Sequence, residues 1–275
     1  MGLALLAGCT RPRCETGEVH REGHCEAYAP GDPVPAGAAW QPQPGTSWQW
    51  QLSGSIDTAV DVEMFDLDLF DAPDRALTEL GQSGVVRICY FSAGTVEDWR
   101  SDAGRFPEAA IGKKLPEWEG ERWVDIMDSA VREVMLDRLD RALTRGCDGV
   151  EPDNVDGYAN RNGLGLNATE QLDYNRFLAD EAHRRGLSVG LKNDLDQLEA
   201  LQPWFDWALN EECASFEECG RLAAFTGAGK AAFHVEYVDD WADADARAAE
   251  ICGVGPDLDS LVKTWDLDAR RVACP

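Results

Sequence analysis

The chain has 275 residues, of which 44% are hydrophobic, and its 51 acidic and 25 basic side chains give a net charge of −26. This length and apolar content suffice for one large domain with a single core. The acidic excess disfavours binding to nucleic-acid phosphates and to anionic membranes, because like charges repel. It would attract a cationic ligand, although acidic surfaces also serve solubility alone.

The N-terminus resembles a bacterial lipoprotein signal, in which an apolar run ends in small residues and a cysteine. The run here ends at Leu6-Ala7-Gly8-Cys9, without the basic residues that usually precede it. We therefore predict a signal-like segment over residues 1–9 and lipidation of the cysteine. The protein would then lie in the cell envelope or outside the cell, with the lipid anchor as its membrane contact. No other apolar run is long enough to span a bilayer.

Residues 10–46 are rich in glycine, proline and polar residues and show no periodicity. Such a composition is typical of a flexible linker. We predict a tether here, between the anchor and the body of the protein.

Eight cysteines remain once Cys9 is set aside, an even number that suits four disulfides in an oxidising compartment. The short-range candidates are Cys14 with Cys25, Cys213 with Cys219 and Cys252 with Cys274, which leaves Cys89 for Cys147. Eight cysteines allow 105 pairings, so the sequence does not decide among them. Because no CxxC pair occurs and the four histidines are scattered, we expect no metal site and no cofactor.

From Thr46 onward, strand-like runs alternate with helical stretches. The predicted strands are 47–52, 62–66, 84–94, 148–151, 187–193, 205–210, 231–237 and 261–265. The predicted helices are 73–81, 129–145, one that includes 172–178 and stops at Gly186, 195–202, 215–226 and 242–250, and a long excursion covers 95–128. Eight strands that alternate with helices predict an α/β fold, the parallel (β/α)8 or TIM barrel. We assign residues 47–275 to this single domain and expect a monomer.

The run from Asp148 to Tyr158 carries the densest cluster of chemically active side chains. Pro152 is predicted to end the strand, because a proline cannot donate to a sheet ladder. Asp153, Asn154 and further polar residues follow at once. Acids that converge in this way repel one another, so such a cluster is typical of acid/base chemistry, of a metal site or of a site for a cationic ligand.

Polar and aromatic side chains also follow the other predicted strands, and a parallel barrel gathers functional groups at these carboxyl ends. They include Trp48, Trp50, Asp66, Tyr90, Ser92, Lys192, Asn193, Glu211, Glu236 and Trp265. The set offers acids, amides and aromatics, without a placeable nucleophile–histidine pair or a phosphate-binding glycine loop. Paired carboxylates with aromatic platforms are what glycoside hydrolysis requires.

Several motifs carry a resemblance to a known family. They are Trp48-Gln-Trp-Gln-Leu52, Ile88-Cys-Tyr-Phe-Ser-Ala-Gly94, Trp123-Val-Asp-Ile126, Asp148-Gly-Val-Glu-Pro-Asp-Asn-Val-Asp-Gly-Tyr158, Leu191-Lys-Asn193 and Asn210-Glu-Glu-Cys213. In this order they resemble glycoside hydrolase family 114, the endo-α-1,4-polygalactosaminidases, over about residues 47–266. The resemblance implies a TIM barrel that cleaves α-1,4-linked galactosamine or N-acetylgalactosamine polysaccharide, with Asp153 and Glu211 as the catalytic pair.

The predicted substrate-binding residues are Trp48, Trp50, Asp66, Tyr90, Ser92, Asp125, Asn154, Asp156, Tyr158, Lys192, Asn193, Glu236 and Trp265. Four of these acids, Asp66, Asp125, Asp156 and Glu236, would suit the ammonium groups of a partly deacetylated, cationic polymer. Three alternatives stay open: a cell-surface carbohydrate-binding barrel without catalysis, a glycosidase for another α-linked sugar, and a metal-dependent hydrolase.

Overall fold

The computed structural model describes residues 14–21, 23–255 and 257–275. Cys9 and the signal-like segment lie outside these residues, so lipidation stays a prediction. Among the helices of the described ranges, none combines the length and the apolar character that crossing a bilayer requires.

The secondary structure follows the predicted alternation of strands and helices. The strands are β1 (Glu18–Arg21), β2 (His24–Ala27), β3 (Trp48–Gln51), β4 (Met64–Asp68), β5 (Val86–Ser92), β6 (Thr95–Glu97), β7 (Ile111–Lys114), β8 (Glu121–Val124), β9 (Gly149–Asp153), β10 (Ser188–Lys192), β11 (Trp207–Glu211), β12 (Ala232–Tyr237), β13 (Asp259–Lys263) and β14 (Val272–Ala273). The α-helices are α1 (Asp74–Gln82), α2 (Ser129–Arg145), α3 (Ala168–Arg184), α4 (Leu198–Leu201), α5 (Ala223–Thr226) and α6 (Ala244–Ile251). Short 3-10 helices cover Ala103–Arg105, Glu108–Ala110, Gly157–Ala159, Leu195–Gln197, Cys219–Leu222 and Trp241–Asp243.

Eight parallel strands form one curled sheet in the order β3-β4-β5-β9-β10-β11-β12-β13, and β14 adds an antiparallel strand beside β13. The two ends of the parallel run meet, because Trp48 Nε1 donates to Asp259 O (2.8 Å) and Lys263 Nζ donates to Gln49 Oε1 (3.2 Å). Within the described ranges no backbone ladder joins β3 to β13. The predicted α/β fold is confirmed, and the curled sheet fits a TIM-like barrel.

The core has an inner and an outer layer, because successive residues of a strand point to opposite faces. In β4, Met64 packs in the interior with Trp207, whereas Phe65 and Leu67 belong to the larger cluster beneath the helices. The side chains that α2 buries are Val131, Val134, Met135, Arg138, Leu139 and Ala142. Each large apolar side chain buried in this way contributes about 1.5–3 kcal/mol.

Strand β9 continues through Pro152 to Asp153, so the prediction that Pro152 ends it is wrong. Phe91 of β5 lies opposite the proline, but the ladder to β10 on the other side of β9 covers only Gly149 and Val150. Because that ladder has already ended, the missing N–H leaves no partner in β10 unsatisfied. Asp153 is therefore held at the end of a strand rather than in a loop.

The excursion over residues 95–128 contains a separate antiparallel sheet in the order β6-β8-β7, which we call the inserted sheet. Within the described residues its strands pair with one another and not with the barrel strands. Val124 N donates to Gly94 O (3.0 Å), which fixes the inserted sheet beside the end of β5.

Part of the predicted tether is folded. Strands β1 and β2 form an antiparallel hairpin that lies against α3, where Gly17 N donates to Thr169 Oγ1 (2.7 Å) and Arg21 pairs with Asp173 (2.5 Å). The hairpin of the predicted tether is therefore held against the barrel, and a tether between a lipid anchor and the domain stays a prediction. Strands of four residues are too short to show a clear alternation, and contacts with the barrel rather than local propensity hold them.

Four disulfides are present, and the pairing favoured by sequence proximity is confirmed. They are Cys14–Cys25, Cys89–Cys147, Cys213–Cys219 and Cys252–Cys274. Cys14–Cys25 spans the N-terminal hairpin. Cys89–Cys147 joins β5 to the turn that precedes β9, and so ties together the two strands that carry Tyr90 and Asp153.

Gly190 gives a test of the barrel packing. A Cβ at this position of β10 would lie 2.2 Å from the ring of Trp207. Gly190→Ala should lower the free energy of unfolding by about 2 kcal/mol or more, because overpacking displaces a buried indole. Chemical denaturation measures this. Gly220→Ala, where a Cβ meets nothing within 4 Å, is the control, and equal losses in both variants would contradict the packing argument.

Candidate active site

A cleft of about 910 Å³ opens at the carboxyl ends of the parallel strands. The ends of β5, β9, β10 and β11 line it, together with part of the inserted sheet. The predicted site residues that line it are Tyr90, Asp153, Asn154, Asp156, Tyr158, Lys192, Asn193, Glu211 and Trp265. The structure thus brings most of the predicted set together on one face.

Lys192 is the centre of the cleft floor. Its ammonium lies 2.9 Å from Glu151 Oε1, 3.4 Å from Asp153 Oδ1 and 3.4 Å from Glu211 Oε2. It also lies over the Trp50 ring, 4.5 Å from the centroid. The side chain is 2% exposed, so one buried cation is shared by three carboxylates from two strands.

The mutual attraction sets the charge states of these groups. Burial lowers the pKa of Lys192, but the charges of Asp153, Glu151 and Glu211 outweigh it and raise the pKa well above its ordinary value. Burial raises the pKa of Glu211, but the charge of Lys192 and the hydrogen bonds that Glu211 accepts outweigh it, so the pKa is lowered. Lys192 is therefore charged and Glu211 ionised near neutral pH.

Two tyrosines and an asparagine orient the carboxylates of the cleft. Tyr90 Oη donates to Asp153 Oδ2 (3.1 Å), and Tyr237 Oη donates to Glu211 Oε1 (2.5 Å). Asn193 Nδ2 donates to Glu211 Oε2 (3.0 Å), and its own oxygen accepts from the backbone N–H of Glu211 (3.0 Å). Each carboxylate is thus held in one orientation by donors on neighbouring strands.

A second carboxyl pair lies beneath Lys192. Asp66 and Glu151 are both 0% exposed. Burial and the charge of Glu151 raise the pKa of Asp66 well above its ordinary value, and burial raises the pKa of Glu151 to about 7. Because two adjacent buried carboxylates repel, the pair retains a proton. Asp66 lies outside the cleft lining.

Left-handed backbone turns follow the strands that carry the site. Asn154, Asn193 and Glu212 have φ of 60°, 50° and 60°, which only glycine and, less readily, asparagine and aspartate adopt at low cost. Gly94 makes the first turn sterically feasible, since a Cβ there would lie 1.8 Å from Asn154 O. These turns expose the side chains at the ends of β9, β10 and β11 to the cleft.

Asp156, Tyr158 and Asp194 form a second acidic corner of the cleft. Burial, followed by the charge of Asp153, raises the pKa of Asp156 to about 6. Burial, followed by the charge of Asp156, raises the pKa of Asp194 to about 8. Asn175 Nδ2 donates to Asp194 Oδ2 (2.9 Å) from the underlying helix. Asp194 was not among the predicted site residues, although it directly follows the predicted Asn193.

Trp48 and Trp50 do not reach the cleft. Both are buried in the barrel interior, at 2% and 1% exposure, so neither ring has a free face on which a sugar could stack. The structure therefore places both predicted substrate-binding residues outside the cleft lining. The alternation of a strand indicates that two residues share a face, but not how deep in the barrel they lie.

Three further residues with a predicted substrate contact, Ser92, Asp125 and Glu236, are buried and lie outside the cleft lining. Ser92 is 0% exposed, and Asp125 accepts from Met127 N (3.1 Å) within its own turn. Glu236 is also 0% exposed, and it accepts from Ala214 N (2.8 Å) and pairs with an arginine of α6. Glu236 therefore holds the loop that follows Glu211.

Several residues of the cleft were missed because they lie in segments without strand periodicity. They include Trp118, Glu121 and Trp123 of the inserted sheet and Phe216 of the loop after β11. Trp118 and Phe216 are 48% and 67% exposed, and Trp265 is 46% exposed and stacks on Tyr237 with ring centroids 4.0 Å apart. Exposed aromatic rings of this kind are available to the apolar faces of sugars. The sequence signals were Trp99, Trp118 and Trp123 of the predicted excursion, the last of which begins one of the family motifs.

One described group of side chains has the spacing of a metal site, Cys213, Cys219 and His234. The two cysteines are joined in a disulfide, so they offer no thiolate, which is the form that binds metal. In the cleft floor, the ammonium of Lys192 is the cation that the carboxylates share.

Comparison with known proteins gives consistent matches. Residues 32–275 match the glycoside-hydrolase family GH114. The crystal structure of Aspergillus fumigatus Ega3 in complex with galactosamine is similar with a TM-score of 0.83 and 39% identity, over 89% of this chain and 100% of that chain. The glycoside hydrolase domain of PelA from Pseudomonas aeruginosa has a TM-score of 0.66 over 82% of this chain and 98% of that chain, and at 17% identity it shows the fold alone.

A curated relative from Thermotoga maritima, described as an uncharacterized protein, is 24% identical over 131 residues. The match covers 42% of this chain and 40% of that protein. The chain thus spans about two fifths of the length of this relative.

Lys192→Met tests the shared cation. The lysine charge lowers the pKa of Glu211, so its loss should raise that pKa and move the acid limb of the kcat/KM profile to higher pH. At pH values below the acid limb we expect activity to fall by about tenfold for each unit by which the pKa rises, since one unit is about 1.4 kcal/mol. A pH profile of hydrolysis measures both. Lys114→Met, at an exposed position of the cleft rim, should leave the limb in place, and an unmoved limb in Lys192→Met would contradict the argument.

Asp194→Asn tests the acidic corner through stability. The pKa of about 8 in the folded protein lies above the ordinary value, so the stability that Asp194 contributes is present below about pH 4 and is lost as pH rises through 8. The variant should therefore lose less free energy of unfolding between pH 5 and pH 8 than the unaltered protein. Denaturation at the two pH values measures this. Asp61→Asn, at an exposed position whose charge is not among those that raise the pKa of Asp194, is the control.

Proposed function

The chain belongs to glycoside hydrolase family GH114, and we propose that it cleaves an α-1,4-linked polymer of galactosamine and N-acetylgalactosamine. The galactosamine complex of Ega3, at 39% identity over the whole of that chain, supports this class of substrate. The observation that carries the proposal is the pair of carboxylates, Asp153 and Glu211, that faces the cleft on either side of Lys192.

The geometry of this pair supports a paired-carboxylate mechanism. One carboxyl group protonates the leaving oxygen, while the other attacks the anomeric carbon or activates water. Both nearest oxygens lie 3.4 Å from Lys192 Nζ, so they are no more than about 6.8 Å apart, twice that distance. Retaining enzymes have separations of about 5–5.5 Å and inverting enzymes about 6.5–9.5 Å. The bound admits the retaining separation, and we propose retention of configuration.

The charge of the cleft supports a cationic sugar. Nine of the lining residues are acidic and five are basic, and a deacetylated amino sugar carries an ammonium group. At the cleft surface one such pair contributes roughly 1–4 kcal/mol, and salt weakens it. The acidic corner of Asp156 and Asp194 lies in this lining and offers carboxyl oxygens away from the bond that is cut.

The four disulfides support action in an oxidising compartment. We propose that the protein works outside the cytosol on a matrix polysaccharide. Lipid attachment at Cys9 remains part of this proposal.

Product analysis tests the substrate. The protein should release fragments from α-1,4-linked oligomers that contain galactosamine and should leave chitosan-type oligomers, which are β-linked, intact. Mass spectrometry of the products identifies the fragments, and NMR of the first product gives the anomeric configuration. Release of fragments from neither galactosamine nor N-acetylgalactosamine oligomers would refute the substrate class.

Asp153→Asn and Glu211→Gln test catalysis. Each amide keeps the shape of the side chain and cannot supply or accept the proton, so kcat should fall by about three orders of magnitude or more while the affinity for oligomer changes little. Turnover assays and calorimetric titration measure the two quantities. Glu212→Gln, at the neighbouring residue, is the matched control. Activity that survives both substitutions would favour a carbohydrate-binding role for the pair.

A further inference from the structure

A buried chain of hydroxyl groups joins the inserted sheet to the turn after Asp153. Thr95 Oγ1 donates to Glu121 Oε2 (3.0 Å), Thr95 Oγ1 and Ser92 Oγ lie 2.5 Å apart, and Asn154 Nδ2 donates to Ser92 Oγ (3.0 Å). Ser92 and Thr95 are both 0% exposed, and Glu121 is 6% exposed. No step of the proposed mechanism uses these three residues.

When Glu121 is ionised, it fixes the direction of every hydrogen bond in this chain of hydroxyl groups. An ionised carboxylate only accepts, so the Thr95 hydroxyl must give its proton to Glu121. Thr95 Oγ1 must then accept from the Ser92 hydroxyl. Ser92 Oγ has now used its proton and accepts from Thr95 N (3.2 Å) and from Asn154. The group of Asn154 that faces Ser92 must therefore be the NH2, whichever way the amide is first drawn.

The side-chain oxygen of Asn154 is the acceptor that this arrangement leaves for the cleft. Asn154 lines the cleft and is half-buried. Its Nδ2 donates to Ser92 Oγ. Its Oδ1 is not one of the fully buried polar atoms of the described ranges that lack a partner. No described residue is seen to donate to Oδ1, so this oxygen is open to a ligand beside the proposed catalytic Asp153.

We infer that Glu121, Thr95 and Ser92 are positioning residues that turn the Asn154 oxygen toward the cleft, where it selects an ammonium over an acetamido group on the bound sugar. This inference rests on the proposed function, because it concerns the substrate of the same site. An ammonium carries three donors and no acceptor, so it is satisfied by Oδ1 and would meet only donors if the amide were reversed.

An acetamido group behaves differently. It offers one N–H and one carbonyl oxygen, so either orientation of the Asn154 amide finds a partner. The direction of the hydroxyl chain therefore changes the affinity for the amine more than the affinity for the acetylated sugar. Discrimination of this kind depends on which polar group would be left unpaired.

Thr95→Val tests the inference, since valine keeps the shape of threonine and removes the hydroxyl. Ser92 then has no acceptor in Thr95 and can donate to Asn154 Oδ1, which reverses the amide. We expect kcat/KM for a fully deacetylated α-1,4-galactosamine oligomer to fall by about tenfold or more, the effect of one hydrogen bond to a charged group. For the fully N-acetylated oligomer we expect a change below about threefold.

The assay is run at about pH 7.5, because the sugar amine must also be protonated and an amine beside an electron-withdrawing carbon has a pKa of about 7.7–8.0. Burial, followed by the charge of Glu97, raises the pKa of Glu121 to about 7, so the carboxyl group is largely ionised at this pH and the direction of the chain is defined. A protonated Glu121 could donate to Thr95 and reverse the chain.

Two controls separate this role from a structural one. Thr95→Ser restores the hydroxyl and should restore the preference for the amine, whereas Thr144→Val makes the same change at an exposed position of α2 and should leave both rates unaltered. Equal losses on both oligomers in Thr95→Val, or a Thr95→Ser variant that behaves like Thr95→Val, would overturn the inference.

Ser92→Ala provides a second route if Thr95→Val does not fold, as judged by circular dichroism. It removes the acceptor that holds Asn154 Nδ2, so the preference for the amine should again fall by about tenfold, and an unchanged preference would overturn the inference. Cleavage of neither oligomer by the unaltered protein would instead refute the proposed function.

Discussion

The site depends on a single buried ammonium group. Lys192 is the cation closest to Glu151, Asp153 and Glu211, and without it these acids would face one another in a poorly hydrated floor. A charge pair at about 4 Å in a partly shielded site is worth about 4 kcal/mol before the cost of removing water, and that cost is of similar size for buried ions. The arrangement therefore favours a fixed geometry more than it favours stability.

Much of the fold follows from the rhythm of the sequence. The predicted bounds of α2 match the structure, and each of the eight barrel strands overlaps its prediction. Asp153 and Glu211 could be located because a parallel barrel makes the ends of its strands converge. The depth of a residue within the barrel could not be predicted, which is why the burial of Trp48 and Trp50 below the cleft was not expected. The continuation of β9 through Pro152 could not be predicted either. A strand tolerates a proline where no neighbouring strand needs its N–H, and this depends on where the ladder between β9 and β10 ends.

The cleft concentrates features that oppose stability. Asn154, Asn193 and Glu212 adopt left-handed backbone conformations, each of which costs on the order of 1 kcal/mol outside glycine. Buried acids such as Asp194 add a desolvation cost. The surrounding framework offsets these terms, since Cys213–Cys219 closes the loop after Glu211 and Glu236 ties the same loop to the barrel.

The inserted sheet pairs only with itself, and this has a consequence for how such a barrel can diversify. It supplies Glu121, Trp118 and Trp123 to the cleft. Because its strands are not paired with barrel strands in the described residues, a change in its length would not shift the register of the barrel. Doubling the length of a loop raises the free-energy cost of closing it by only about 0.6 kcal/mol. A different insertion could therefore be exchanged at the same junction as a module, so that the range of sugars accepted can evolve while the carboxylate pair and its lysine stay in place.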